Sequence, residues 1–105
     1  FVAGEIGWNP VSEKVETENF TEQFRQALIN IKTVLAEAGA EPSHVVRMTW
    51  FITSKSEYLS QAREVGQAYR DVFGKHYPVM AVVEISDLME DGAKVEIEAT
   101  AVIPD

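Results

Sequence analysis

The sequence predicts an α+β domain in which two helices pack on one face of a β-sheet. Two observations carry this. Two stretches hold apolar side chains at steps of three and four, each behind an N-capping pattern. The other segments are short, β-branched and aromatic, as strands are. The expected order is strand, short strand or loop, helix, strand, helix, strand, strand.

Residues 1–6 are apolar and strand-like, and Gly7-Trp8-Asn9-Pro10 turns the chain. Phe1-Val2-Ala3-Gly4 reads as the second half of a strand, so an N-terminal strand is expected to precede Phe1. Residues 11–18 are polar and hold a short strand or a loop. Asn19-Phe20-Thr21-Glu22 has capping-box spacing. The stripe Phe20, Phe24, Ala27, Leu28, Ile31, Val34, Leu35, Ala38 then marks one helix face, and Gly39 stops the helix. Val45 to Thr53 is a strand. Ser54-Lys55-Ser56-Glu57 starts a second helix with the stripe Tyr58, Ala62, Val65, Tyr69, Val72, ended by Gly74. Val79 to Ile85 and Lys94 to Ile103 are the closing strands, expected to lie side by side. No repeat or linker divides residues 1–105, so a single domain is expected.

The strand at 45–53 is apolar on both faces, with Val46, Met48, Trp50 and Ile52 on one and Val45 and Phe51 on the other. The strand at 79–85 repeats this, with Val79, Ala81, Val83 and Ile85 opposite Met80 and Val82. Two helices cover only one sheet face, and a solvated antiparallel face alternates apolar with polar. A second subunit is the economical cover for the other face. An oligomer follows from the pattern alone.

Composition narrows the function. With 46% apolar and 25% charged residues the chain is ordinary for a globular domain. A net charge of −8 repels a phosphate backbone, and Lys and Arg are scattered singly, so nucleic acid is not an expected partner. No apolar run is long enough for a membrane helix, so no membrane partner is expected. Cysteine is absent, which removes disulfides and thiolate chemistry and fits a cytoplasmic location. No nucleotide fingerprint is present. His44 and His76 lack metal-ligand spacing, so neither a metal nor another cofactor is expected.

The candidate site residues each have a plain reading beside the functional one. Glu96 and Glu98, two apart on a strand, share a face opposite Val95, Ile97 and Ala99. They form either a solvated face or a carboxylate projecting into a cleft, where it orients water. Glu84 has a similar but weaker standing. Glu5, beside Gly4 and near Trp8, lines a pocket or faces solvent. Trp8 is a loop anchor or an aromatic wall. Trp50 reads as core or subunit interface. His76 and Tyr77, before Pro78, are candidate ligand contacts on a loop.

These residues resemble the Rid (YjgF) family over almost the whole chain. Ala3-Gly4-Glu5-Ile6 resembles the family's Ser-Gly-Gln-Ile strand, with Asn9-Pro10 after it. Gln23-Phe24-Arg25-Gln26-Ala27-Leu28-Ile29-Asn30-Ile31 resembles the helix pattern Gln-x-x-Gln-x-Leu-x-Asn-Ile. Lys94-Val95-Glu96-Ile97-Glu98-Ala99 matches the closing Val-Glu-Ile-Glu-Ala signature. The resemblance implies a chorismate-mutase-like fold with a mixed sheet. It also implies a homotrimer with a barrel-like core and a small-molecule cleft between each pair of subunits.

Deaminase members of the family hydrolyse reactive enamines and imines such as 2-aminoacrylate. An Arg in a Pro-Ala-Arg-Ser stretch holds the substrate carboxylate. Here that stretch is Pro78-Val79-Met80-Ala81, and Met80 stands in place of the Arg. The family's Gln is Glu5, and an Asn of the second helix is Gly66. Glu96 retains the position of the water-orienting carboxylate. The resemblance therefore implies Glu96 as the catalytic residue and Gly4, Glu5 and Met80 as ligand contacts; the turn and loop aromatics read above add Trp8, His76 and Tyr77. A neutral or cationic ligand, or one with a bulky apolar part, suits Glu5 and Met80. Three functions stay open: an imine or enamine hydrolase with an altered substrate, a non-catalytic binding or interaction trimer, and a ribonuclease. The acidic charge and missing Arg disfavour the last.

Overall fold

The computed structural model describes residues 1–104. The elements run β1 (Val2–Ile6), α1 (Phe20–Glu37), a 3₁₀ turn (Pro42–His44), β2 (Val45–Ile52), α2 (Lys55–Ser60), α3 (Ala62–Phe73), β3 (Val79–Glu84) and β4 (Val95–Ala101). One sheet has the order β1-β4-β2-β3. β2 and β3 are parallel, joined by a crossover through α2 and α3, and the other pairs are antiparallel. The expected α+β class, with helices on one face of a mixed sheet, is what forms.

α1 begins where the sequence places it, because the Asn19 side chain accepts from the Glu22 amide. Its stripe from Phe20 to Leu35 is buried except for Val34, and Ala38 is exposed. The next residue, Gly39, takes φ +76°, a left-handed position that favours glycine. The second helical stretch is split at Gln61 (φ −114°, ψ 20°). There the Gln61 Oε1 accepts from both the amide and the hydroxyl of Thr21, a tertiary contact that the helical spacing does not show.

Three expectations about the sheet need correction. Residues 11–18 form no strand of the sheet; a lone bridge, Asn9 to Lys14, closes a turn there. β3 and β4 are not neighbours, because β2 lies between them. Val46 does not share a face with Met48. A register shift between Val45 and Arg47 puts Val45 in the core and leaves Val46 exposed.

The core lies between the sheet and the helices. Phe24 meets Trp50 edge to face at 4.7 Å, and Trp50 is core. Two motif residues of α1 serve the loops around this core. The fully buried Gln23 donates to the carbonyls of Thr17 and Gly92 and accepts from the Lys94 amide. Asn30 donates to the carbonyls of Ile6 and Trp8. Each ties backbone groups of the loops to α1. Gly7 is dictated by the same packing, since a β-carbon there would lie 2.3 Å from the Gln23 carbonyl oxygen.

The other sheet face has no cover among the described residues. Phe51 is half-buried on it, and Val79, Ala81 and Val83 are exposed. No helix among the described residues is long and apolar enough to cross a membrane.

Candidate functional site

Most of the expected site residues fall into two groups. The first, Gly4 and Glu96, lies on the open face, where β1 meets β4. Ile6 pairs with Glu96, and Glu5 pairs with the buried Ile97, so the register sets the Glu5 side chain toward the helix side of the edge strand β1. Val95 and Ile97 are buried beneath the helices, so alternation turns Glu96 to the open face. Its side chain runs across Gly4: a β-carbon at residue 4 would lie 2.6 Å from the Glu96 carboxyl carbon. Glycine at position 4 thus provides the space that the carboxylate occupies. Burial raises the pKa of Glu5, and the negative charge of Glu96 raises it further. The two carboxylates therefore share one local field.

Glu98 is exposed farther along β4, paired in register with Thr49. Glu84 has a structural duty, accepting at 2.6 Å from the Lys55 amide at the start of α2.

The second group lies on the helix side. Met80 pairs with the buried Met48, so both point toward the helices. With Trp50 they floor a cavity of about 230 Å³. Val65, Gly66 and Tyr69 of α3 form a wall, and Tyr58, Arg70 and Tyr77 also line it. Tyr77 stacks on Tyr69 at 5.5 Å. The Tyr69 hydroxyl donates to the His76 carbonyl, and burial, then Tyr77, pushes its pKa up to about 12. It stays a neutral donor across the physiological range.

The remaining two residues join neither group. The His76 ring nitrogen Nε2 lies 2.7 Å from the Val45 carbonyl, which ties the β3 approach to the start of β2. Trp8 is half-buried in the turn after β1, its carbonyl held by Asn30. Among the described residues no group of three His, Asp or Glu side chains is placed to hold a metal ion.

Sequence reasoning missed Trp50, Tyr58, Tyr69 and Arg70 as cavity residues. An aromatic on a helical or strand stripe reads as core, and only the third dimension shows that core packing stops short here. Gly66 gave a signal: a glycine in mid-helix costs about 1 kcal/mol relative to alanine and so asks for a reason.

Fold and site together define an α+β protein with a glycine-seated carboxylate on one sheet face and an apolar cavity on the other. A family model described as Endoribonuclease L-PSP matches residues 1–103. A RutC family protein of Aquifex aeolicus is 34% identical, over 97% of this chain and 78% of that protein. Human 2-iminobutanoate/2-iminopropanoate deaminase is 28% identical, over 97% of this chain and 71% of that protein. The structure of the YjgF gene product of E. coli superposes with a TM-score of 0.80 at 31% identity, covering 95% of this chain and 76% of the other. The chain belongs to the Rid (YjgF) family.

Proposed function

We propose that this chain assembles as a homotrimer, binds a small molecule in clefts between its subunits, and hydrolyses there an imine or enamine other than 2-aminoacrylate. The single domain of residues 1–105 is the unit that repeats. The observation that carries the reading is the Glu96 carboxylate lying over Gly4 on a sheet face that the described residues leave uncovered. The half-buried Phe51 and the exposed Val79, Ala81 and Val83 give a second copy an apolar surface to cover. Such a copy would bring its Met80 cavity toward Glu96 and close a cleft that one chain holds only in halves.

The chemistry needs little machinery. Glu96 orients and activates water, which adds to the C=N carbon. The proton reaches nitrogen, the C–N bond breaks, and a carbonyl compound and ammonia leave. An enamine first takes a proton on carbon to become the imine. Glu5, whose pKa is raised by burial and then by the charge of Glu96, is the second carboxyl that the reading draws into proton transfer.

Met80 argues against a small amino-acid imine, since a thioether cannot pair with a carboxylate. It also favours a second reading, a trimer that binds without catalysis. Ammonia release from a panel of imines separates the two. Turnover with at least one imine, lost in Glu96→Gln, is the expected result. No release from any member of the panel, with a small molecule still bound, gives the second reading.

A further inference from the structure

The open sheet face is not uniformly apolar. Its outer column, on β3, is Val79, Ala81 and Val83, but the two inner strands present polar groups. Met48 and Trp50 of β2 and Ile97 and Ala99 of β4 are buried beneath the helices. Alternation therefore turns Arg47 and Thr49, and Glu98 and Thr100, to the open face. The ladder sets Arg47 opposite Thr100 and Thr49 opposite Glu98, which makes Arg47 and Glu98 diagonal neighbours. With the two threonines they line one hollow of about 380 Å³. Diagonal neighbours lie within reach of long side chains. Yet among the described residues the ion pairs are Arg25 with Asp71 and Lys94 with Glu57, so neither Arg47 nor Glu98 is paired.

On a solvated surface two free charges need no explanation. Under a cover they do, because a charge taken from water without a partner is costly. The apolar column of β3 lies directly beside them: Val79 pairs with Arg47 and Ala81 with Thr49. A partner that buries the apolar residues buries the charges too, so it has to supply one cation and one carboxylate. A second copy of this chain brings both in equal number. Its net charge of −8 opposes association of copies, which gives an opposite-sign contact at the boundary the more to do. We propose that Arg47 of one subunit pairs with Glu98 of the next, and that this pair makes the face select its own copy. The proposal rests on the assembly put forward above and adds the contact that sets partner and register. Rotational symmetry repeats the pair at every boundary. A chain with like charge at either position is rejected.

Charge reversal tests this on the whole chain. Arg47→Glu and Glu98→Arg each place like charges at the boundary, and each should weaken assembly at least about tenfold in sedimentation velocity. Both positions are exposed, so the variants should fold, and circular dichroism checks it. The variant with both reversals should assemble within about threefold of wild type. The deciding measurement mixes the two single variants, one of them tagged. Each should hold the other more tightly than its own copies, since the boundary charges are all negative in one and all positive in the other. A pair formed within one chain gains nothing from mixing. Should a reversal fail to fold, Arg47→Gln and Glu98→Gln take its place, and their losses in association should not add. Single reversals that assemble as wild type does, a mixture no tighter than either variant alone, or additive losses in the glutamine pair overturn the proposal. A wild-type trimer indifferent to reversal sinks the charge pair and leaves the trimer standing. A wild-type dimer that reversal dissociates sinks the trimer and leaves the pair.

Discussion

Gly4 and Glu96 are coupled by space: the Glu96 carboxyl carbon lies 2.6 Å from the point where a β-carbon on residue 4 would sit. Neither can change without the other responding. Gly4→Ala therefore acts as a mutation of Glu96. The atoms in the way belong to a side chain that can swing aside, so the fold should survive with a loss of about 1 kcal/mol or less. Turnover should fall by about tenfold or more, because a displaced carboxylate no longer holds water in line. In a double-mutant cycle with Glu96→Gln the two losses should not add. Additive losses would show that Gly4 and Glu96 act separately.

Glu5 supplies a pH signature. Its pKa in the folded chain is raised above 4.5 by burial and by Glu96. Between 4.5 and that raised value the folded state holds more proton than the unfolded state, so stability falls as pH rises through this window. Glu5→Gln removes the effect. The variant should melt higher than wild type at neutral pH, with the difference shrinking toward zero below about pH 4.5. Thermal melts of both proteins at several pH values check this. A variant that melts lower at pH 7 would contradict the burial and repulsion assigned to Glu5.

Gly7→Ala is the harsh counterpart of Gly4→Ala. Its β-carbon would meet backbone, the Gln23 carbonyl oxygen at 2.3 Å and Cα at 2.6 Å. Neither can swing aside, so a loss of roughly 2–4 kcal/mol is expected, with a fall in melting temperature of about 10 °C or more. A melt within two degrees or so of wild type would show that β1 and α1 can slide apart.

Turnover of 2-aminoacrylate should be low. A bidentate charge-assisted clamp contributes several kcal/mol, and Met80 offers none, so the rate should lie at least about 100-fold below that of an Arg-bearing relative. A dehydratase that generates the enamine, coupled to a keto-acid readout, measures it. A rate equal to the relative's would mean that another group, such as Arg70 lining the cavity, holds the carboxylate.

The architecture was legible because local patterns and global packing agree. The capping residues Asn19 and Ser54 and the stripe from Phe20 to Leu35 each specify a helix, and each forms one. The failures have specific causes. Periodicity cannot show that β2 inserts between β3 and β4, since strand order is a long-range property. A bulge is invisible to alternation, which is why Val45 and Val46 exchanged faces. Gln61 breaks its helix by reaching Thr21, forty positions away. Of the candidate site, Gly4 and Glu96 were linked only through the family resemblance, since no local pattern shows that β1 lies beside β4. The cavity was not, because Trp50 and Tyr69 bear the same apolar signature whether they fill a core or line a space.

The proposed joining of Glu96 from one subunit with the Met80 cavity of the next can be measured without knowing the substrate. The chain has no cysteine, so a double variant, Glu96→Cys with Met80→Cys, carries only the two thiols of interest. Within one chain these positions lie on opposite faces of the sheet, with β2 between their strands, so a short bismaleimide cannot bridge them. Across a subunit boundary it can. Covalent dimers and trimers on a denaturing gel, absent from each single-cysteine variant, are the expected result. A band at 11.7 kDa alone, from protein labelled at both thiols, would contradict a cleft shared between subunits.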